Sequence, residues 1–90
     1  MTNLTKQEIN KIYNVLVTNI LKPIFIEHPK LSKEYFFDDG TFKPPTTIIY
    51  MGNNIPQITT DIYFKRDYPD IWLHIKPYLD QAQNDVYDLY

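Results

Sequence analysis

The sequence predicts an α+β fold in which helices at both ends of the chain enclose a central β-hairpin. Three patterns support this fold class: a helical apolar stripe over residues 9–21, β-branched segments within residues 46–65, and a second stripe that follows Pro69. With 90 residues, 43% of them apolar, the chain is long enough for one compact domain over residues 1–90.

The first helix is predicted over residues 6–22. Its buried face would carry apolar side chains at helical spacing, namely Ile9, Ile12, Tyr13, Leu16, Val17, Ile20 and Leu21. Thr5 and Glu8 match a capping box, with Leu4 at the staple position before it. Because Pro23 has no backbone N–H, we expect the helix to end or kink just before it.

Residues 23–45 leave alternatives open. Residues 24–26 form either a kinked extension of the first helix or a packed loop, and residues 31–37 form a short helix or lead into a strand. The sequence Asp38-Asp39-Gly40-Thr41 predicts a tight turn, because an Asp-Gly pair accepts hairpin-turn conformations. Residues 42–45 end in two prolines, so they continue in an extended form.

The hairpin is predicted from two strands on either side of Gly52-Asn53-Asn54. Residues 46–51 are β-branched and aromatic, as is typical of a strand. From Ile58 to Lys65 polar and apolar residues alternate, which predicts a strand with one wet face that carries Tyr63. Tyr50 would join that face across the hairpin. Pro56 favours an edge position or a strand that begins after it.

The final helix is expected to begin at Asp67 as N-cap, with Pro69 in its first turn. Pro77 predicts a kink or two helices in tandem. The apolar stripe consists of Ile71, Ile75, Tyr78, Leu79, Ala82, Val86 and Leu89. The seam of Ala82, Val86 and Leu89 near the end has two interpretations, as part of the core or as an interface.

The composition argues against most enzyme chemistries. The two glycines are too few for a phosphate-binding loop, and the chain has no cysteine. Its sole serine, Ser32, lies in no strand-to-helix elbow. His28 and His74 are interpreted as surface or structurally satisfied histidines rather than a catalytic pair or zinc ligands. We therefore predict no catalytic residues, no metal site and no cofactor.

The closest carboxylate groupings also have structural explanations. Asp38 and Asp39 fit a turn, whereas Asp67 and Asp70 fit the start of a helix. Paired carboxylates could bind Mg²⁺ or Ca²⁺, but the turn and capping roles need no further ligand.

The chain is rich in aromatic residues, with eight Tyr, five Phe and one Trp. The five phenylalanines, Phe25, Phe36, Phe37, Phe42 and Phe64, are assigned to the core. Tyrosine is well suited to a half-wet contact surface. Acidic charge also gathers in the second half, where residues 77–90 contain no Lys or Arg. The predicted partner-binding residues are Tyr50, Tyr63, Asp80, Asp85, Tyr87, Asp88 and Tyr90.

These features favour a small non-enzymatic protein-binding module. In its narrower form, the hypothesis is a phage or mobile-element accessory protein that inhibits a host nucleic-acid-processing or defence enzyme. Two features suggest that form, an acidic surface that fits a basic channel and a composition typical of A/T-rich codons. The uncovered sheet face that would carry Tyr50 and Tyr63 could also bind a partner or form a homodimer. Strand addition at an open hairpin edge is another route of association.

The alternative hypothesis is a nucleic-acid-binding domain that uses Lys65, Arg66 and Tyr68, because basic residues beside aromatic rings bind single strands. The surrounding aspartates favour local salt bridges instead. No apolar stretch reaches the length of a membrane span and no signal peptide is recognisable, so we expect no membrane association. The absence of cysteine favours a cytoplasmic location.

Overall fold

The computed structural model describes residues 3–52 and 54–90, with side chains described from residue 5 onward. It has the predicted α+β architecture, with helical segments on either side of one two-stranded antiparallel hairpin. The elements in chain order are α1 Asn3–Val15, a π-helical segment Leu16–Leu21, α2 Lys22–Glu27, α3 Leu31–Glu34, β1 Thr46–Ile49, β2 Gln57–Thr60, α4 Ile62–Asp67 and α5 Pro69–Tyr87.

The first helical stretch continues beyond Pro23, which was expected to end or kink it. The π-helical segment immediately precedes Pro23, and the Lys22 N–H donates to the carbonyl of Val17, five residues back. This wider turn places Pro23 in the first turn of α2, where a missing N–H removes no helical hydrogen bond. Of the two alternatives, the helix therefore does not end near residue 22, and residues 24–26 form the helical extension.

The start of the first helix also differs from the prediction. Helix α1 begins at Asn3, so Thr5 lies within the helix and the proposed cap at that residue is wrong. The staple assigned to Leu4 lies outside the described side chains. The apolar stripe is confirmed, because Ile9, Leu16 and Leu21 are buried.

Residues 31–42 form a short helix followed by a tight turn. The Phe37 N–H donates to the Thr41 carbonyl at 2.8 Å, and Phe36 pairs with Phe42 across an isolated bridge. Gly40 has a φ of 89°, a conformation that glycine adopts without a side-chain clash. Hydrogen bonds from Thr41 lower the pKa of Asp39. The predicted turn is confirmed, with Asp39 in a structural role.

The hairpin is shorter than predicted. Strand β1 pairs with β2 from Thr46 opposite Thr60 to Ile49 opposite Gln57, and β2 begins directly after Pro56. At the connection Gly52 has a φ of 58°, and Asn54 donates its N–H to the Met51 carbonyl. Asn53, which was also assigned to this turn, lies outside the described residues.

The predicted continuation of the second strand to Lys65 is wrong, because residues 62–67 form helix α4. Asp61 caps this helix, and its Oδ1 accepts the Tyr63 N–H at 3.1 Å. The helical spacing also stacks the rings of Phe64 and Tyr68, 5.9 Å apart. Capping and ring packing therefore outweigh the alternating pattern.

Helix α5 runs from Pro69 to Tyr87 and contains Pro77 within its length, so two separate helices are not formed. Tyr68 occupies the N-cap position without a side-chain hydrogen bond, which means that the predicted cap at Asp67 is wrong. Pro77 and Leu73 are exposed. Pro77 has no N–H to donate to the Leu73 carbonyl one turn earlier. Because both residues are exposed, water can bond that carbonyl instead.

The core is an aromatic cluster between the helices and the base of the hairpin. Phe25 and Phe64 are both fully buried and stack 5.5 Å apart, and Phe42 meets Phe25 edge-on at 5.2 Å. Phe37 is 55% exposed, so its assignment to the core is wrong. Helix α5 contributes Ile75, Leu79, Ala82 and Val86 to the buried interior.

Candidate protein-interaction surface

The outer end of the hairpin meets the carboxy-terminal end of α5. Gln57, the first residue of β2, donates its side-chain amide to the Tyr87 hydroxyl at 3.3 Å. Ile49 lies directly opposite Gln57 in the hairpin, and Tyr50 follows it. The hairpin register therefore brings Tyr50 and Tyr87 to the same end of the molecule, although they lie far apart in sequence.

Tyr50 is held by the first helix as well. Its hydroxyl donates to Asn10 Oδ1 at 2.9 Å, and the Lys6 ammonium lies 5.3 Å from its ring centroid. Burial raises the pKa of Tyr50, and the nearby Tyr90 phenol raises it further. The Tyr90 N–H donates to the Tyr87 carbonyl at 3.0 Å, which places Tyr90 beside Tyr87 at this end of the molecule.

Together these residues form an exposed apolar and aromatic surface, here called the tyrosine surface. Its large side chains are each between 38% and 52% exposed. They are Ile49, Tyr50, Met51, Tyr87, Leu89 and Tyr90. Half-exposed tyrosines beside aliphatic side chains are typical of protein interfaces, because each ring offers a large rigid contact area with a polar tip.

The three predicted acidic residues do not share one location. Asp80 forms an ion pair with Lys76 at 2.9 Å and lines a cavity beside Trp72. Asp85 accepts a hydrogen bond from Gln81 at 2.9 Å, and Asp88 directly follows the end of α5. Asp88 therefore lies between Tyr87 and Leu89 of the tyrosine surface, whereas Asp85 lines the groove between the first and last helices and Asp80 lies further back along α5.

Asp85 also borders a groove between the first and last helices. The groove has a volume of about 330 Å³ and an apolar floor that includes Ile12, Leu16 and Ala82. Glu8 and Lys11 lie on its α1 side. This apolar groove with charged side chains at its rim is therefore separate from the tyrosine surface, since its described lining contains none of the residues of that surface.

Tyr63 lies away from the tyrosine surface. It is in α4, which follows Thr60, and Thr60 pairs with Thr46 at the opposite end of the hairpin from Ile49. The Arg66 guanidinium lies 5.0 Å from the Tyr63 ring centroid. The predicted outer strand face that Tyr63 was to share with Tyr50 is therefore not formed.

The residues of the nucleic-acid alternative are engaged with neighbouring side chains. The Lys65 ammonium lies 4.7 Å from the Trp72 ring centroid. Arg66 forms an ion pair with Asp67 at 2.8 Å, and the hydrogen bond between them lowers the pKa of Asp67. These contacts are the local pairings that the neighbouring aspartates indicated.

Tyr68, the third residue of that alternative, packs in the aromatic cluster. Its ring contacts His28, Tyr35 and Phe64. Burial, a hydrogen bond with Glu34 and the negative charge of that residue raise the pKa of Tyr68 to about 12. A ring held in this way supports the fold rather than an open stacking platform.

The two histidines occupy different settings. His28 Nδ1 accepts the backbone N–H groups of Lys30 and Leu31 at 3.2 and 3.3 Å, which supports the start of α3. His74 is exposed on α5, with its ring 6.5 Å from that of Tyr78. In the described part of the chain, His, Asp and Glu form no group of three that could hold a metal ion.

The sequence did not reveal two features of this end of the molecule. Met51 and Leu89 belong to the tyrosine surface, although the first was assigned to a strand and the second to a helical stripe. Gln83 binds the hairpin through both ends of its amide. A glutamine within an amphipathic helix carries no signal of such a contact, so only the tertiary arrangement reveals it.

No protein-family model, curated protein or solved structure matches this chain. Among the described helices, none is long and apolar enough to cross a lipid bilayer.

Proposed function

We propose that this protein is a non-enzymatic binding module that attaches to another protein through the tyrosine surface. The observation that carries the proposal is the gathering of half-exposed Tyr50, Tyr87 and Tyr90 with exposed aliphatic side chains at one end of the molecule. Burying rings of this kind provides large contact area, and aromatic residues are enriched among those that dominate binding energy.

The charge beside the surface favours a partner with basic residues around an apolar patch. Asp88 lies between Tyr87 and Leu89 of the tyrosine surface, and residues 77–90 contain no basic side chain. Complementary charge would steer the encounter and fix the orientation of the partner. Enzymes that bind nucleic acids carry basic channels, and inhibition of such an enzyme is the narrower form of the proposal. A cytoplasmic location is part of it.

Affinity capture from a bacterial extract tests the proposal. The immobilised wild-type protein is compared with a Tyr87→Ser/Tyr90→Ser variant and with Tyr63→Ser as the matched control. Tyr63 is 61% exposed but lies outside the tyrosine surface. We expect one protein to bind the wild type and the control but not the double variant, with the purified pair reproducing that order of affinity.

Two outcomes would contradict the proposal. In one, the wild type retains no protein above the blank resin. In the other, the partner binds the double variant as tightly as it binds the wild type. Binding of single-stranded DNA that weakens steeply with salt and depends on Lys65 and Arg66 would favour the nucleic-acid alternative instead.

A further inference from the structure

The hairpin register shows which backbone groups lie on the outer edge of β2. In an antiparallel pair, residues that exchange hydrogen bonds alternate with residues whose N–H and C=O groups point away from the partner strand. The Asp61 N–H donates to the Pro45 carbonyl at 2.7 Å, so Thr60, one residue earlier, directs its own groups outward. Ile58 does the same, because its N–H donates to Gln83.

Gln83 shows what kind of group this edge binds. Its Oε1 accepts the Ile58 N–H at 2.7 Å, and its Nε2 donates to the Pro56 carbonyl at 3.0 Å. A primary amide thus bonds one carbonyl and the N–H two residues later. The same donor–acceptor pair recurs about 6.6 Å further along the strand, as the Ile58 carbonyl and the Thr60 N–H. In the part of the chain that the structure describes, neither of these two groups has a hydrogen-bond partner.

A cavity adjoins this second donor–acceptor pair. It has a volume of about 360 Å³ and is lined by Ile58, Thr60 and Gln83 together with residues of α4 and α5. Leu79, which is 5% exposed, and the half-buried Trp72 give it apolar walls. A cavity of this size, with apolar walls and a few fixed polar groups, resembles the smaller of the sites that bind small molecules.

The charges of the cavity favour a neutral ligand. Lys65 and Asp80 both line it, so they contribute one positive and one negative charge. The Lys65 ammonium lies 4.7 Å from the Trp72 ring centroid, and Asp80 forms an ion pair with Lys76 at 2.9 Å. Because the two charges are opposite and each has a partner, they give no net attraction to an anion or a cation.

We propose that this cavity binds a small neutral molecule that carries a primary carboxamide on a flat ring. The amide oxygen would accept the Thr60 N–H and the amide nitrogen would donate to the Ile58 carbonyl, as Gln83 does one step earlier. The ring would pack against Trp72 and Leu79. An added strand would not fit, because Gln83 occupies the edge on one side and the chain turns into α4 on the other. The site is separate from the tyrosine surface and does not depend on the proposed function.

Benzamide is the probe for the test, and Trp72 provides the readout, since it is the sole tryptophan of the chain. We expect a saturable change in its fluorescence with a dissociation constant on the order of 1 mM. N-Methylbenzamide is the matched control, because its methyl group replaces the N–H that lies on the same side as the oxygen. Benzoate keeps the ring but has no donor for the Ile58 carbonyl. Both should bind about tenfold more weakly than benzamide.

Amide chemical shifts and one pair of variants locate the site. Benzamide should shift the wild-type Thr60 N–H resonance more than that of Thr59, which faces β1. Thr60→Pro removes the outward N–H but no bond of the β1–β2 ladder, whereas Thr60→Ala keeps that N–H. We expect Thr60→Ala to bind benzamide like the wild type, and Thr60→Pro to lose binding with an unchanged circular dichroism spectrum. If Thr60→Pro does not fold, the wild-type titrations decide.

Four results would each overturn the proposal. Benzamide could leave the fluorescence of Trp72 unchanged, or N-methylbenzamide or benzoate could bind as tightly as benzamide. The Thr60 N–H resonance could stay in place while other resonances shift. A folded Thr60→Pro variant could bind benzamide as the wild type does.

Discussion

Replacement of Gln83 by alanine should destabilise the fold more than any other change of a polar side chain on α5. The substitution removes two hydrogen bonds to the hairpin, at 2.7 and 3.0 Å. A hydrogen bond contributes about 1 kcal/mol net, and a buried donor that loses its partner adds a cost of about 1–3 kcal/mol. Because Ile58 is half-buried, water replaces part of the loss, and we expect a decrease of about 2 kcal/mol in the free energy of unfolding.

Urea denaturation followed by circular dichroism measures this difference. The midpoint should fall while the dependence on urea stays unchanged, because the surface exposed on unfolding is nearly the same. Thermal unfolding should show a midpoint lower by roughly 8–16 °C, since 1 kcal/mol corresponds to about 4–8 °C in a domain of this size.

The matched control is Gln81→Ala, two residues earlier on the same helix. The Gln81 amide bonds the exposed Asp85 side chain one turn away, a contact that contributes about 0.2–0.5 kcal/mol. Gln83→Glu should lie between the wild type and Gln83→Ala, because it keeps an acceptor for Ile58 and loses the donor to Pro56. A Gln83→Ala protein within about 0.5 kcal/mol of the wild type would refute the hydrogen-bond argument.

Three further predictions concern the core, a helix cap and alkaline pH. Phe64→Ala should lower the free energy of unfolding, measured in urea, by about 3–5 kcal/mol because it opens a cavity at a fully buried ring. The control Phe37→Ala should change it by less than about 0.5 kcal/mol. Equal losses would contradict the core assignment. Asp61→Ala should cost about 1 kcal/mol through the lost cap of α4, and Asp61→Asn should recover most of it. Burial and Glu34 raise the pKa of Tyr68 to about 12 from 10.0, which means that the folded protein favours the protonated phenol. The stability that this phenol contributes is therefore present below pH 10 and is lost as the pH rises towards 12. An absorbance titration of Tyr68→Phe should lack the tyrosine step near pH 12; persistence of that step would assign it to another tyrosine.

Local sequence patterns predicted the parts of the fold that depend on local interactions. The Asp-Gly turn and most of the apolar stripes on the first and last helices need no information from distant residues, and the structure confirms them. Two residues of the second stripe, Tyr78 and Leu89, are instead 44% and 38% exposed. The two prolines within helical stretches were harder to interpret. Pro23 follows a π-helical turn that shifts the hydrogen-bond register, and Pro77 lies on an exposed face where the unpaired carbonyl meets solvent.

Prediction was poorest where alternating polarity met a capping residue. Residues 58–65 alternate as a strand would, yet the chain leaves the hairpin at Thr60 because Asp61 caps a new helix and Phe64 enters the aromatic cluster. Tyr63 consequently moved from a predicted strand face to a helix at the far end of the hairpin. Local periodicity could not reveal this change, since the rings that stabilise α4 come from distant segments.

By itself, the sequence determined an α+β chain with a large aromatic content and an acidic carboxy-terminal segment, because composition and periodicity are properties of neighbouring residues. It could not determine which tyrosines would share a surface. The hairpin register and the direction of α5 bring Tyr50, Tyr87 and Tyr90 together and separate Tyr63 and Asp80 from them. Contacts between residues some 30 to 40 positions apart in the chain decide that arrangement, and such contacts exist only once the tertiary structure has formed.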